Sequence, residues 1–312
     1  MTQSLDEELR AAHAAAIVLP APELGTLLVT GPERLSWLNG LVTCDVGKLK
    51  AGQGLFGLSV AKNGKIQAPL WVLAEADRVL VAAPRSELTA LHADFDRHLI
   101  MEDAELGLAP EGFVWMFAHG PASTTLVELA REHGATAAVI DLTGLGGAVI
   151  AAPTAVHEAV EGALLAAAGV KQATSAGFDE LRIERALPRF GVDYDQQNYP
   201  QEASIERLAV SFDKGCYLGQ ETVCMLELRG HVKKKLVQLS VEAPVDAVAP
   251  DAALALPDGD AIGHVTSRSA RSIDGATLAL GYVKYKHAHA GTELRVAGHR
   301  ARIVRTTPAA VG

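Results

Sequence analysis

"SFDKGCYLGQET", residues 211–222, sets a lysine, a thiol, two glycines and an amide-carboxylate pair side by side. The chain holds only three cysteines, Cys44, Cys216 and Cys224, so the one inside this motif asks for a chemical reading. A thiol at neutral pH is mostly protonated, and a nearby cation or a ring of backbone amides favours the thiolate. Lys214 and a turn at Gly215 would supply both, and Gly219 would bend the chain on the far side so that the sulfur is exposed. The alternative is a small buried hydrophobe, the usual state of free cysteine. The residues alone leave the two readings level. Cys44 in "LVTCDV" and Cys224 in "TVCMLEL" lie in apolar stretches and read as core.

Upstream, "GTLLVTG" reads as a strand and "PERLSWLNG" as a short helix opened by Pro32 and closed by Gly40. "LFGLSVAKNGKIQAPLWVLAE" offers two strand-length runs joined by Asn63-Gly64, a hairpin turn dipeptide. "RVLVAAP" adds a third strand, and "SELTALHADFDRHL" predicts a helix capped by Ser86. A strand "FVWMFAHG", a helix "LVELAREHG", a turn in "DLTGLGGAVI", a helix "HEAVEGALLAAAGV" and a helix from about Phe178 to Pro188 follow. The glycines of residues 141–150 lack GxGxxG spacing and predict no dinucleotide loop. Beyond Leu236 the chain turns into short β runs split by Gly, Pro and Asp, a small β domain of barrel type. The fold class is α+β, with a first region over 1–235 and a C-terminal β-barrel over 236–312.

Composition narrows the function. There are 28 Lys and Arg against 37 Asp and Glu, a formal charge of -9, which repels phosphate backbones and argues against DNA as a partner. One basic run, residues 229–235 "RGHVKKK", could attract an anion such as a glutamate tail or an acidic surface, or could be an ordinary solvated strand. Three dispersed cysteines without CxxC spacing form neither a disulfide framework nor a four-ligand zinc site. They imply a reducing compartment. The acidic opening "MTQSLDEELR" shows no signal-peptide pattern, and no apolar run approaches the length of a membrane span. The expectation is a cytoplasmic protein with no membrane partner.

"KGCYLGQE" resembles the K-G-C-Y/F-x-G-Q-E signature of the YgfZ-type folate-binding proteins, relatives of the glycine-cleavage T-protein that act in iron-sulfur cluster assembly or repair. All eight positions match. The stretches "RLSWLNGLVTCDVGKLKAGQG", "NGKIQAPLWV", "LRIERALPRFGVDYDQQNYPQEA" and "ETVCMLELRGHVKKKLVQL" also resemble the family. The likeness covers most of the chain and is least distinctive over residues 100–170. It implies a three-lobed ring of T-protein type enclosing a folate-sized cavity, with tetrahydrofolate or a derivative as cofactor. It further implies iron-sulfur enzymes or cluster-assembly proteins as partners.

The resemblance assigns Cys216 as the functional thiol with Lys214 beside it, facing the cavity. It assigns Glu184 as the pterin anchor, since a carboxylate can accept the adjacent N–H groups of a pterin in a bidentate pair. Arg229, Tyr217, Gln220 and Glu221 complete the expected folate-binding set. No stable metal site is expected, and Cys216 would serve at most as a transient ligand. Where the T-protein hairpin carries adjacent aspartates, this chain has Ala68 and Pro69, which cannot do acid-base work. That argues against glycine-cleavage aminomethyl transfer. Another folate-dependent one-carbon reaction on a small amine stays open as the alternative, with Asp45, Asp193 and Glu202 as the acid-base candidates.

Overall fold

The computed structural model describes residues 2–109, 111–228 and 230–311. Strands Gly54–Val60 and Ile66–Ala74 form the expected hairpin. Gly64 closes it at φ +79°, a left-handed conformation that glycine adopts without steric cost. A Cβ on Gly64 would lie 2.9 Å from the Thr222 Cβ, so the hairpin tip packs directly on the segment that follows the thiol. Arg78–Pro84, Leu24–Thr30 and Glu105–Leu108 complete an antiparallel five-stranded sheet.

A second five-stranded sheet runs in the order Val170–Gln172, Ala16–Pro20, Phe113–His119, Gly147–Pro153, Thr136–Val139, with Val170–Gln172 parallel to its neighbour and the other pairs antiparallel. Side chains alternate across a strand, and this alternation organises the centre of the molecule. Phe113, Trp115 and Phe117 join a core shared with Phe56, Leu58, Leu73 and Leu80 of the first sheet. Met116 and Ala118 face the opposite way, onto Leu126, Val127, Val160 and Leu164 of helices Ser123–Glu132 and His157–Ala166. Trp115 Nε1 donates to Thr26 Oγ1 at 2.9 Å and ties the two sheets together.

Helix Ser175–Glu184 is capped by Thr174, whose Oγ1 accepts from the Gly177 N–H at 3.0 Å. It starts before Phe178 and stops four residues short of Pro188. The stop is made by Ala186 at φ +56°, which lets the Leu187 N–H return to the Arg182 carbonyl at 2.7 Å. The expected Ser86 cap is also displaced. Helix Arg85–Asp96 begins directly after Pro84, and the Ser86 hydroxyl bonds the Glu87 carboxylate rather than a backbone amide.

The C-terminal region closes into a barrel in the order Lys234–Val241, Ala276–Lys284, Ala261–Ile273, Ala253–Ala255, Glu293–Val296, His299–Arg305 and back to Lys234–Val241. Closure removes the free strand edges that would otherwise invite pairing with other chains. The barrel grips helix Ser175–Glu184 from outside. Gln238 Nε2 donates to the carbonyls of Ile183 at 2.6 Å and Glu184 at 3.0 Å, at the helix end where carbonyls run out of intrahelical donors.

Candidate functional site

A cavity of about 840 Å³ opens where the central core meets helix Ser175–Glu184 and the irregular chain after it. Its wall is aromatic. Phe56, Trp71, Phe117, His119 and Phe178 follow one another with ring centroids 5.4, 5.1, 6.3 and 5.2 Å apart, and Phe190 and Tyr194 add an edge-to-face pair. Ser86, Glu87, Gln172, Thr174 and Arg189 supply polar groups to the lining. Volume and lining suit a drug-sized ligand with a flat apolar ring and a few polar ends.

His119 continues the register of Phe113, Trp115 and Phe117, so strand alternation turns an imidazole into the core. It is 4% exposed and stacked between Phe117 and Phe178. Neither ring nitrogen has a protein partner. Burial pulls its pKa down to about 4, with the Asp141 carboxylate pulling weakly the other way. The wall is therefore uncharged at neutral pH. In the unfolded chain the same imidazole takes up a proton near pH 6.5, so between about 6.5 and 4 the unfolded state binds more protons than the folded one. Stability should thus be whole above pH 6.5 and fall by up to about 3 kcal/mol as pH drops to 4. Urea midpoints at pH 7 and 4.5 for wild type and His119→Leu check this, because the histidine's part of the pH slope disappears in the variant.

The thiol motif lies elsewhere. Cys216 is exposed, and none of residues 211–222 lines the cavity; the expected orientation of the thiol toward the cavity is corrected on this point. The reason is visible in its neighbours. Lys214 is buried, and its ammonium donates to the carbonyls of Asn39, Val42 and Cys44, each at 2.7 Å. Tyr217 is buried too, its ring 5.2 Å from the Lys214 ammonium. With Lys214 and Tyr217 turned inward, the backbone between them presents Cys216 to solvent. All three N–H bonds of Lys214 are occupied by the 39–44 segment. Burial pulls Lys214 down to about 8, and it stays protonated at neutral pH.

The loop is fastened further by the Leu218 N–H to the Gly40 carbonyl at 3.0 Å and the Ser211 N–H to the Thr43 carbonyl at 2.9 Å. Gly219 is required by its φ of +79° and because a Cβ there would sit 2.4 Å from the Ala61 carbonyl oxygen. Gly215 has no comparable constraint. Gln220 and Glu221 open helix Gln220–Leu228, and Gln220 Nε2 reaches back to the Gly215 carbonyl at 3.4 Å. This helix was not expected from sequence, and it leaves Cys224 partly exposed instead of in the core. Cys44 is buried as expected, and burial pushes its thiol up to about 12.

Glu184 ends its helix with its carboxylate 2.8 Å from His13 Nε2, and it is not among the residues lining the cavity. Arg182, two residues earlier, does line it. Arg229 lies outside the described residues. His231 and residues 233–235 do not line the cavity, and Lys235 pairs with Glu206 at 3.4 Å. Of the three acid-base candidates, Asp45 pairs with Lys48, Glu202 accepts from Asn198 and Tyr199, and Asp193 is saturated by Arg182, the Arg189 N–H, Thr266 and Ser267. None of them lines the cavity. Among the described residues no group of three or more His, Cys, Asp or Glu is disposed to hold a metal ion, and no helix is long and apolar enough to cross a membrane.

Comparison with known proteins places this architecture. Residues 234–309 match the family model of the glycine cleavage T-protein C-terminal barrel domain. The glycine cleavage system aminomethyltransferase T of Bartonella henselae superposes with a TM-score of 0.81 over 97% of this chain and 90% of its own, at 20% identity. The chain thus has the T-protein, aminomethyltransferase-like fold: mixed α/β lobes and a closed six-stranded C-terminal barrel. In sequence it is 26% identical to the mitochondrial aminomethyltransferase of Canis lupus familiaris, over 86% of this chain and 72% of the relative. It is also 25% identical to the tRNA-modifying protein YgfZ of Vibrio vulnificus strain YJ016, over 75% of this chain and 72% of that protein.

Proposed function

We propose that this protein is a tetrahydrofolate-binding accessory factor for the assembly or repair of iron-sulfur enzymes, acting in the cytoplasm. In this reading the folate occupies the central cavity and Cys216 serves the partner enzyme. The observation that carries the folate half is the aromatic wall of the cavity. A pterin is a flat ring, and Trp71, Phe117 and Phe178 offer faces and edges against which such a ring packs. The ring nitrogens of His119 and the Nε1 of Trp71 are buried beside that wall without protein partners, which marks it as a polar-tolerant surface rather than a purely aliphatic core. The thiol half is supported by the KGCYLGQE motif and by the exposure of Cys216.

When bound, a reduced folate can carry a one-carbon unit. The chain's own residues hold and shield it. They provide no acid or base at the hairpin, where Pro69 lines the cavity. Glu184 holds His13 through Oε1 and lies outside the cavity lining.

Calorimetric titration with tetrahydrofolate tests the reading. Wild type should bind saturably, and Trp71→Ala should weaken binding by about tenfold or more, equivalent to about 1.4 kcal/mol. A matching loss in Glu184→Ala would move the pterin to the end of helix Ser175–Glu184. Absence of binding by the wild type would remove folate from the function.

A further inference from the structure

Two cationic side chains line the cavity among the described residues, Arg182 and Arg189. They are in opposite states. Arg182 is 3% exposed, and its nitrogens are taken by Asp179 at 2.5 Å, Asp193 at 2.7 Å and Ser267 at 3.0 Å. It has little left for a ligand. Arg189 is 42% exposed, and its guanidinium has one recorded contact, Nη1 to Asp179 at 3.0 Å. A guanidinium carries five N–H donors in a planar fork, so most of its capacity is free.

The lining also includes two carboxylates, Glu23 and Glu87. Glu87 is engaged by the Gln196 amide at 2.6 Å and the Ser86 hydroxyl at 3.1 Å. They disfavour an anion on their side of the cavity. The aromatic wall carries no charge, because burial keeps both of its titratable rings, His119 and Tyr194, neutral at pH 7. An asymmetric container results: an apolar aromatic end, and a single cation with free donors on the chain segment 187–191 that contributes the Leu187, Pro188, Phe190 and Gly191 lining.

We propose that Arg189 receives the anionic end of the cavity's ligand, so that the ligand is a flat heteroaromatic ring joined to a carboxylate tail, ring against the wall and tail at the guanidinium. This rests on the folate reading above and deepens it. It also moves the anion anchor from the basic run at residues 229–235 to a residue of the cavity itself. A guanidinium-carboxylate pair is commonly bidentate, which fixes direction as well as adding affinity.

The test compares two reduced pterins, tetrahydrofolate with its glutamate tail and tetrahydrobiopterin without a carboxylate, on wild type, Arg189→Gln and Arg189→Glu. Arg189→Gln should weaken tetrahydrofolate by about tenfold, with a larger loss in Arg189→Glu, while tetrahydrobiopterin stays within about twofold of wild type. Raising salt should weaken tetrahydrofolate in the wild type more than in Arg189→Gln, since an exposed ion pair is screened. Equal tetrahydrofolate affinity in all three proteins overturns the proposal, and so does an equal loss of both ligands. A wild type that binds neither pterin fails at the folate reading instead, a result distinct from either.

Discussion

Replacing Arg182 with methionine is expected to lower the free energy of unfolding by about 3–5 kcal/mol, the usual cost of removing one partner from a buried ion pair. Asp193 has no exposed side-chain surface. Without the guanidinium its carboxylate keeps the Arg189 N–H and the Thr266 and Ser267 hydroxyls, but it loses its countercharge. Thr266 and Ser267 belong to barrel strand Ala261–Ile273, so the same change loosens the barrel from helix Ser175–Glu184. Urea denaturation followed by circular dichroism gives the loss. Arg182→Met with Asp193→Asn should recover a substantial part of it, because the second change removes the stranded charge. A single variant within 1 kcal/mol of wild type would show that the pair does not hold the barrel on.

Lys214→Met should cost about as much, roughly 3–5 kcal/mol, by another route. No carboxylate is bonded to this ammonium; it gathers the carbonyls of Asn39, Val42 and Cys44. A buried carbonyl left without a donor costs about 1–3 kcal/mol; those of Asn39 and Val42 lose theirs, while Cys44 keeps the Val46 N–H at 3.0 Å. The consequence can be read at two cysteines. Native Cys216 is exposed and should alkylate readily in both proteins, whereas Cys44 is buried within the segment that Lys214 holds. Iodoacetamide labelling followed by mass spectrometry should find Cys44 silent in the wild type and reactive in Lys214→Met. A silent Cys44 in the variant, with an unchanged urea midpoint, would mean that the clamp is dispensable.

The strands, the Asn63-Gly64 hairpin and the barrel were legible because each rests on local signals: alternation, a turn dipeptide, short β runs between breakers. The helix ends were less so. Ser86 has the right side chain for a cap but stands two residues too late, and Ala186 stops its helix through a left-handed backbone that alanine does not announce. Helix Gln220–Leu228 was hidden by its composition, since "TVCMLEL" is equally apolar on either period. His119 could have been found. Extending the period of "FVWMFAH" puts it on the face of Phe113, Trp115 and Phe117, where a polar residue is unexpected. The inward turn of Lys214 and the pairing of Glu184 with His13 could not, because each depends on a partner more than 150 residues away in the chain.

The placement of Cys216 outside the cavity lining bears on how the protein could be controlled. A small molecule in the cavity and a second body at the thiol do not contend for space, so neither excludes the other by occupancy. The thiol loop meets the rest of the chain at the 39–44 segment and at the hairpin tip that leans on Thr222. On the proposed reading, such an arrangement would let two inputs be registered at once, with the output belonging to the doubly engaged state rather than to a winner.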